Sequence, residues 1–247
     1  MVDIPNDTNA GSYDSAAARR VPMGELVAYL LIGLIPMFSL AYVLVGFEQL
    51  PLSLSFGFYI FGGLLVILLM KAGFPHSTLG FGNLVTLARF SVVAALASSL
   101  LGSAEAWLVV VFALTSLVLD GVDGFLARKE GRVSNFGARL DMEVDSALAM
   151  VLALNIWLSG ITGPIILLLG LPRYVFAFAA YWSPWLKKPL PYSFSRRVIS
   201  VVQIASLIGL HAPILPSFLI SPVAWIVAGF LIWSFGRDVF WLWRSKV

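Results

Sequence analysis

The feature that most constrains this chain is a series of apolar segments, each close to the length of a membrane-spanning helix. A helix needs about 20 mainly apolar residues to cross the hydrocarbon core of a bilayer. Of the 247 residues, 60% are hydrophobic and only 12% are charged, unlike an average soluble domain. We therefore predict an all-α fold, a polytopic membrane helix bundle. We place about eight transmembrane helices at 24–46, 53–71, 83–102, 105–129, 137–160, 163–184, 196–213 and 219–243.

The composition also excludes several kinds of site and partner. The sequence contains no cysteine, which excludes disulfides, thiolate metal sites and cysteine nucleophiles. It contains only two histidines, so we expect no metal site built from histidine. No basic stripe lies on a soluble domain, and we expect no nucleic-acid partner. Residues 1–22 are polar and cannot bury a core, so we predict a flexible cytoplasmic tail there.

The distribution of positive charge predicts the orientation in the membrane, because short cytoplasmic loops are enriched in lysine and arginine. Three of the 16 cations lie within helices, namely Arg89, Arg173 and Arg237. With the N-terminus in the cytoplasm, alternation of eight helices brings all the others to that side: Arg19, Arg20, Lys71, Arg128, Lys129, Arg132, Arg139, Lys187, Lys188, Arg196, Arg197, Arg244 and Lys246. We expect an integral protein of a bacterial cytoplasmic membrane, with both termini in the cytoplasm.

Four aspartates stand at ordered spacings inside this apolar chain. Asp120 and Asp123 are three residues apart, and Asp141 and Asp145 are four apart. Residues at these spacings share one face of a helix. Two helices that turn such pairs toward each other form a cage of carboxylate oxygens, which suits Mg²⁺, Mn²⁺ or Ca²⁺ rather than soft metals. The sequence therefore predicts a divalent metal site at the cytoplasmic surface.

Small residues accompany these acids. Gly124 and Ala127 lie on the helical face of the first aspartate pair, and Gly137 lies one turn before the second. A missing side chain lets a ligand approach the backbone closely. Arg128 follows at the edge of the same face, where its guanidinium can bind a phosphate through two hydrogen bonds. The alternative is a solvated polar loop, which accounts for the charges after Arg128 but not for acids and small residues on shared faces.

The full pattern is D-x-x-D-G-x-x-A-R, eight residues, and then G-x-x-x-D-x-x-x-D. It resembles the signature of the CDP-alcohol phosphotransferase family, with every signature position filled. The resemblance covers about residues 80–243 and implies a six-helix core within 80–247, preceded by two additional N-terminal helices within 23–79. We expect no buried ionisable residue in these two helices, and the sequence does not indicate their purpose.

The resemblance implies a reaction and its partners. It implies transfer of a phosphatidyl or other substituted phosphate group from a CDP-linked donor, most often CDP-diacylglycerol, to the hydroxyl of a small polar alcohol, with release of CMP. It further implies two Mg²⁺ or Mn²⁺ ions held by Asp120, Asp123, Asp141 and Asp145, with Asp145 also acting as the catalytic base. Membrane lipids surround the enzyme, and a homodimer is an assembly often found in the family.

A polar stripe, Asn83, Thr86 and Arg89, opens the third apolar segment. Polar side chains in membrane helices usually face the protein interior; the alternative is helix capping by Asn83 and snorkelling of Arg89. The family often shows N-x-x-T-x-x-R here after a proline, where this chain has Gly82. The resemblance assigns nucleotide and diphosphate binding to the following residues, with Arg89 in support: Asn83, Thr86, Asp123, Gly124, Ala127, Arg128 and Gly137.

Three further arginines are candidates for binding the acceptor. Arg173 follows Pro172, which predicts a kink, and an arginine within a span needs a cavity, an anion or an acid beside it. Acceptor binding and an ion pair with one of the four aspartates remain open. Arg196 and Arg197 either anchor the topology or attract a phosphorylated acceptor or anionic lipid.

The stretch 72–82 predicts a short amphipathic or looped approach to the third helix. We expect Phe74 and Phe81 in the membrane interface. His76 is a lone histidine, for which we favour an interfacial or structural role over that of a metal ligand.

Two other functional classes remain open. A membrane prenyltransferase also uses aspartate pairs and Mg²⁺ on a diphosphate substrate, but its acidic motifs usually lie farther apart than the seventeen residues between Asp123 and Asp141. A cation transporter can use intramembrane acids, but we would expect them near the middle of the membrane and not at one surface.

Overall fold

The computed structural model describes residues 21–131, 134–187 and 194–244. The predicted N-terminal tail lies almost entirely outside the described residues. Those residues form nine α-helices joined by loops and short 3₁₀ turns, with no strand among them. The helices are α1 (Met23–Val45), α2 (Gln49–Lys71), α3 (Phe81–Leu96), α4 (Ala106–Lys129), α5 (Asn135–Leu158), α6 (Leu167–Gly170), α7 (Pro172–Trp182), α8 (Phe194–His211) and α9 (Ser217–Arg244).

Within the described residues, five helices are long and apolar enough to cross a membrane. They are α1, α2, α3 with its 3₁₀ extension to Leu100, α4 and α9. A sixth span results if α6 and α7 are counted together as one bent segment. The predicted all-α membrane bundle is confirmed, whereas the count of eight spans stays a prediction. Two of the eight predicted spans, those that correspond to α5 and α8, are not among these helices. Helix α5 carries four charged residues from Arg139 to Asp145, and the apolar part of α8 is short.

The predicted sixth helix, 163–184, is broken in two. The first part, a 3₁₀ turn followed by α6, ends at Gly170, and the second part, α7, begins at Pro172. The chain bends by 65° between these two parts. Proline has no N–H to donate and its ring clashes with the preceding turn, so it is tolerated at the first position of a new helix. The kink predicted at Pro172 is therefore confirmed, and it is a complete break.

Helix α3 lies at the centre of the bundle. In its most apolar stretch 78% of the residues are buried, against 28% in α4 and 22% in α1. The charged residue at its middle, Arg89, is among the largest fully buried side chains in the described chain. A helix surrounded by protein on every side can carry such a residue, because neighbouring helices supply the partners that lipid cannot.

The two additional N-terminal helices pack closely along α3. A Cβ on Gly33 of α1 would lie 2.9 Å from the Ser91 hydroxyl oxygen of α3. The rings of Tyr59 on α2 and Phe90 on α3 stack with 4.9 Å between centroids, and the Tyr59 hydroxyl donates to the Leu30 carbonyl at 2.8 Å. Close approach at small residues and interhelical hydrogen bonds are what drive helix association in membranes, so α1 and α2 are integral to the bundle.

Neither charged side chain of α1 and α2 is fully buried, in line with the expectation for these helices: Lys71 is exposed, and Glu25, in the first turn of α1, is half-buried. Glu25 accepts a hydrogen bond from the Leu79 N–H at 3.1 Å. The interfacial position expected for Phe74 is wrong. Its side chain is only 7% exposed and meets the Phe136 ring of α5 edge to face at 5.1 Å, whereas Phe81 is largely exposed as expected.

Candidate active site

The four aspartates come from two helix ends that face α3. Asp120 and Asp123 lie in the second half of α4, and Asp141 and Asp145 lie in the first half of α5. Helix α5 starts after Ser134, whose side-chain oxygen accepts from the Gly137 N–H at 3.1 Å. Such an N-cap satisfies one of the backbone donors left free at a helix start. Each aspartate pair has the helical spacing that the sequence predicts, and both pairs are turned toward Arg89 of α3.

Arg89 of α3 joins all four acids. Its Nη1 lies 3.1 Å from Asp120 Oδ1, 2.8 Å from Asp123 Oδ2 and 2.6 Å from Asp141 Oδ1. Its Nη2 pairs with Asp145. The Arg89 side chain is 0% exposed, so the alternative of a snorkelling arginine is wrong. One guanidinium opposite four carboxylates leaves an excess of negative charge if all four are ionised, and such an excess attracts further cations.

The carboxylates also satisfy the geometry of a divalent metal site. One oxygen from each of Asp120, Asp141 and Asp145 lies within 4.8 Å of the other two. Ligands on opposite sides of an ion with bonds of about 2.0–2.6 Å lie about 4–5 Å apart. Hard carboxylate oxygens suit Mg²⁺ or Mn²⁺. Asp123 is not part of this trio, and its carboxylate instead accepts from Thr86 and Arg89.

A cavity of about 310 Å³ opens directly beside the aspartates. Asp123 and Asp141 form part of its wall, and so does Glu130 at the end of α4. The cavity brings together every residue to which the sequence resemblance assigns nucleotide and diphosphate binding: Asn83, Thr86, Asp123, Gly124, Ala127, Arg128 and Gly137. Residues from α3, α4 and α5 thus line one space, although that role itself stays a prediction.

Glycines keep this space open and let the helices approach. A Cβ on Gly137 would lie 2.9 Å from Asn83 Oδ1, and one on Gly82 would lie 3.0 Å from the Ala127 Cβ. Both separations are shorter than ordinary van der Waals contact. Where the family often has proline, Gly82 therefore allows α3 and α4 to cross closely.

The polar stripe of α3 is held in place by local hydrogen bonds. Asn83 Nδ2 donates to the Leu79 carbonyl at 2.6 Å, and Thr86 Oγ1 donates to Asp123 Oδ2 at 3.0 Å. Helix α3 already begins at Phe81 and its N-cap residue is Gly80, so the alternative in which Asn83 caps the helix is wrong. Both side chains belong to the wall of the cavity.

The acceptor candidates are only partly placed. Arg173 Nη2 pairs with Glu143 Oε1 at 2.6 Å, so its ionic partner is a glutamate and not one of the four aspartates. The side chains of Arg196 and Arg197 lie outside the described residues. His76 is in T-shaped contact with Phe74, with 5.8 Å between ring centroids, and does not belong to the cluster of metal-ligating groups found in the described chain.

Sequence reasoning missed two glutamates near the cavity. Glu130 is one of the charges after Arg128 for which a solvated loop would account, yet its carboxylate accepts from the Phe81 N–H, with Oε2 at 3.2 Å. Glu25 binds the adjacent Leu79 N–H. An acid near the start of a helix is favourable, but these two come from α1 and from the end of α4, and no local pattern could have connected them to α3.

Comparison with known proteins identifies the family. A model of the CDP-alcohol phosphatidyltransferase family matches residues 80–233, more than half of the chain. The chain belongs to this family. No curated protein and no solved structure gives a significant match.

Family membership and the apolar helices together describe an integral membrane transferase of phospholipid biosynthesis that takes a phosphatidyl group from a CDP-alcohol. The family generally uses divalent metals, and the aspartate cluster fits that use. Prenyl transfer and cation transport are correspondingly disfavoured as the function of this chain.

Proposed function

We propose that this protein is a phosphatidyltransferase dependent on Mg²⁺ or Mn²⁺ that uses CDP-diacylglycerol as donor and a small polar alcohol as acceptor, and releases CMP. The observation that carries the proposal is the position of the aspartate cluster. It lies against a cavity whose wall contains all the residues assigned to the nucleotide and diphosphate. The cavity and the acids lie at one end of α4, so the donor's acyl chains can stay in the bilayer.

The proposed orientation of the donor's polar part follows from the residues of the cavity wall. Its diphosphate lies toward the aspartates, and Arg128 binds a phosphate oxygen through its planar guanidinium. The cytidine lies toward Thr86, Gly124 and Ala127, where short side chains leave room. Asn83 and Gly137 adjoin each other in the wall of the same space.

Asp120, Asp123, Asp141 and Asp145 are the residues that would hold two divalent ions. When bound, such ions neutralise the negative charge that develops on a diphosphate as its bond breaks. Arg89 holds the four carboxylates close together, since its guanidinium contacts every one of them. Asp123 is fixed further by Thr86.

Asp145 acts as the base. The acceptor oxygen attacks the phosphorus that bears the diacylglycerol group, and the bond from that phosphorus to the oxygen of CMP breaks. The hydroxyl proton passes to a carboxylate oxygen of Asp145, since a general base needs hydrogen-bond reach and a suitable pKa to accept it. CMP leaves with the electrons of the broken bond.

Arg173 is the described candidate for binding the acceptor, with Arg196 and Arg197 as further candidates from the sequence, and arginines suit an acceptor that carries phosphate. The Arg173–Glu143 pair would have to open or share its charge when such a molecule binds.

In this proposal the aspartates and both termini face the cytoplasm, where CDP-linked donors are available, and residues 80–247 form the catalytic core.

The test is a donor and acceptor panel with purified protein in lipid nanodiscs. CDP-diacylglycerol should release CMP only when a divalent metal and the right acceptor are present, with glycerol 3-phosphate, inositol phosphate, serine and choline as first acceptors. Excess chelator should abolish release. Release of diphosphate from a prenyl diphosphate, with no CMP from any CDP-alcohol, would overturn the proposal.

A further inference from the structure

The segment that leads into α3 is held by two carboxylates from different parts of the chain. The Leu79 N–H donates to Glu25 Oε2 of α1 at 3.1 Å, and the Phe81 N–H donates to Glu130 Oε2 at 3.2 Å. Gly80 lies between them with a φ of 76°, a conformation that residues other than glycine rarely adopt. Hydrogen bonds to a charged carboxylate are stronger than those between neutral groups, so this short turn has a defined position.

The held segment is part of the cavity wall. Leu79 and Gly80 both line the cavity beside the aspartates. The Leu79 carbonyl accepts from Asn83 Nδ2 at 2.6 Å, and Asn83 Oδ1 is the atom that a side chain at Gly137 would meet. A continuous series of contacts therefore runs from Glu25 through Leu79 to Asn83.

The surroundings of Glu25 suit a positioning role. Leu26 and Leu79 are almost fully buried on either side of the hydrogen bond, and α1 is fixed to α3 by the close contact at Gly33. A second space of about 360 Å³, lined in part by Glu25, Tyr29 and Glu130, adjoins the first and shares Gly80 with it. Water in that space can replace the lost partner of Leu79 if Glu25 is removed, so the segment would loosen without unfolding.

We propose that Glu25 is a positioning residue for the donor site, and that α1 takes part in nucleotide binding through it. Glu25 does not touch the substrate. It sets the position of Leu79 and hence the orientation of the Asn83 amide in the wall that receives the cytidine diphosphate. This inference rests on the proposed function, because it names the nucleotide as the ligand of that wall.

Glu25→Ala should raise the KM for the CDP-linked donor about tenfold and lower kcat by less than threefold. A tenfold change corresponds to about 1.4 kcal/mol, the scale of one hydrogen bond to a charged group. Glu25→Gln keeps an acceptor oxygen and should restore most of the affinity. Glu25→Asp keeps the charge but shortens the reach, and should also raise KM. The matched control is Glu48→Ala, because Glu48 is an exposed acid at the start of α2.

A second measurement requires no substrate. A nitroxide attached through Ser77→Cys, the single thiol in a chain without cysteine, should gain mobility in the Glu25→Ala background and not in the Glu48→Ala background. An unchanged donor KM in Glu25→Ala and Glu25→Asp, or an unchanged label, would overturn the inference. A wild-type protein that releases no CMP from any CDP-alcohol would instead overturn the proposed function, and the label would still report on the Glu25 contact.

Discussion

Two polar clusters lie at different heights along α5 and join it to its neighbours in very different ways. Near the start of α5, Arg89 pairs with four aspartates. Near its end, Asn155 donates to Ser99 Oγ at 2.6 Å and its Oδ1 lies 2.8 Å from His211 Nε2. Asp145 and Asn155 are ten residues apart, about 15 Å along a helix. One cluster is charged and adjoins a cavity, and the other is built from uncharged hydrogen-bonding groups.

This contrast indicates that the neutral cluster contributes to the structure and the charged cluster to the function. Neutral hydrogen bonds between membrane helices are modest contributors that join neighbours, about 0.6 kcal/mol each on average. Charged groups in a membrane protein are far more expensive and usually mark a site of function. The Ser99–Asn155–His211 cluster contains no carboxylate and no guanidinium, so it has no comparable attraction for ions. The Arg89 cluster holds more negative than positive charge, and it therefore favours binding of additional cations.

Removal of Arg89 should have the largest effect. Arg89→Gln leaves four acids close together without their cation, and loss of one partner of a buried ion pair costs about 3–5 kcal/mol. We expect a large fall in Tm in detergent, with part of it recovered by millimolar Mg²⁺, because an ion bound only by the folded state stabilises that state.

Arg173→Gln is the matched control, because its charge pairs with a single acid at a partly exposed position. Such pairs contribute about 0–1 kcal/mol, and Mg²⁺ should not alter the effect. Equal losses of Tm in the two variants would contradict the special role of the Arg89 cluster.

The second effect is on turnover and distinguishes the acids from one another. Asp145→Asn should lose turnover by about 10²-fold or more, the scale of a general base, and high Mg²⁺ should not restore it. Asp120→Asn and Asp141→Asn should weaken metal binding, so high Mg²⁺ should recover part of their rate. Donor affinity and turnover across a Mg²⁺ series provide the measurement. If metal rescues Asp145→Asn as well as the others, Asp145 is a ligand only.

The charged cluster could be predicted from the sequence only in part. The helical period places each aspartate pair on one face, and short spacing in the chain makes α4 and α5 neighbours, so the acid cage followed from local rules. The central position of Arg89 did not, because it depends on how deeply α3 is enclosed by α1, α2, α4 and α5. Sequence alone offered the two outcomes for this arginine, buried or snorkelling, without a means to choose.

Other features depend on contacts between residues distant in the chain. The break at Pro172 is a local property of proline and was predicted. The Glu25–Leu79 hydrogen bond joins residues 54 positions apart, and the burial of Phe74 depends on the ring of Phe136. No pattern within either segment indicates these partners, which is why the purpose of α1 and α2 could not be inferred from their sequence.

The third effect tests the cavity beside the charged cluster. Gly137→Ala places a methyl group 2.9 Å from Asn83 Oδ1, so the Asn83 amide must leave its present position in the cavity wall. We expect donor affinity to fall about tenfold, or about 1.4 kcal/mol, with little change in Tm. Gly121→Ala is the matched control, since nothing lies within 4 Å of a Cβ there. Similar donor affinities in both variants would place the nucleotide elsewhere.

The smallest effect should come from the neutral cluster. Asn155→Leu removes the hydrogen bonds to Ser99 and His211 but introduces a side chain of similar size that suits an apolar helix. Because each such bond is worth about 0.6 kcal/mol on average, we expect the free energy of unfolding to fall by about 1 kcal/mol. Turnover, donor KM and the Mg²⁺ dependence should stay within twofold of wild type, since the substitution lies about 15 Å from Asp145 along α5. The measurements are Tm with and without Mg²⁺ and CMP release. A loss of turnover larger than tenfold at unchanged Tm would mean that the neutral cluster also serves the reaction, and the division drawn between the two clusters would then be wrong.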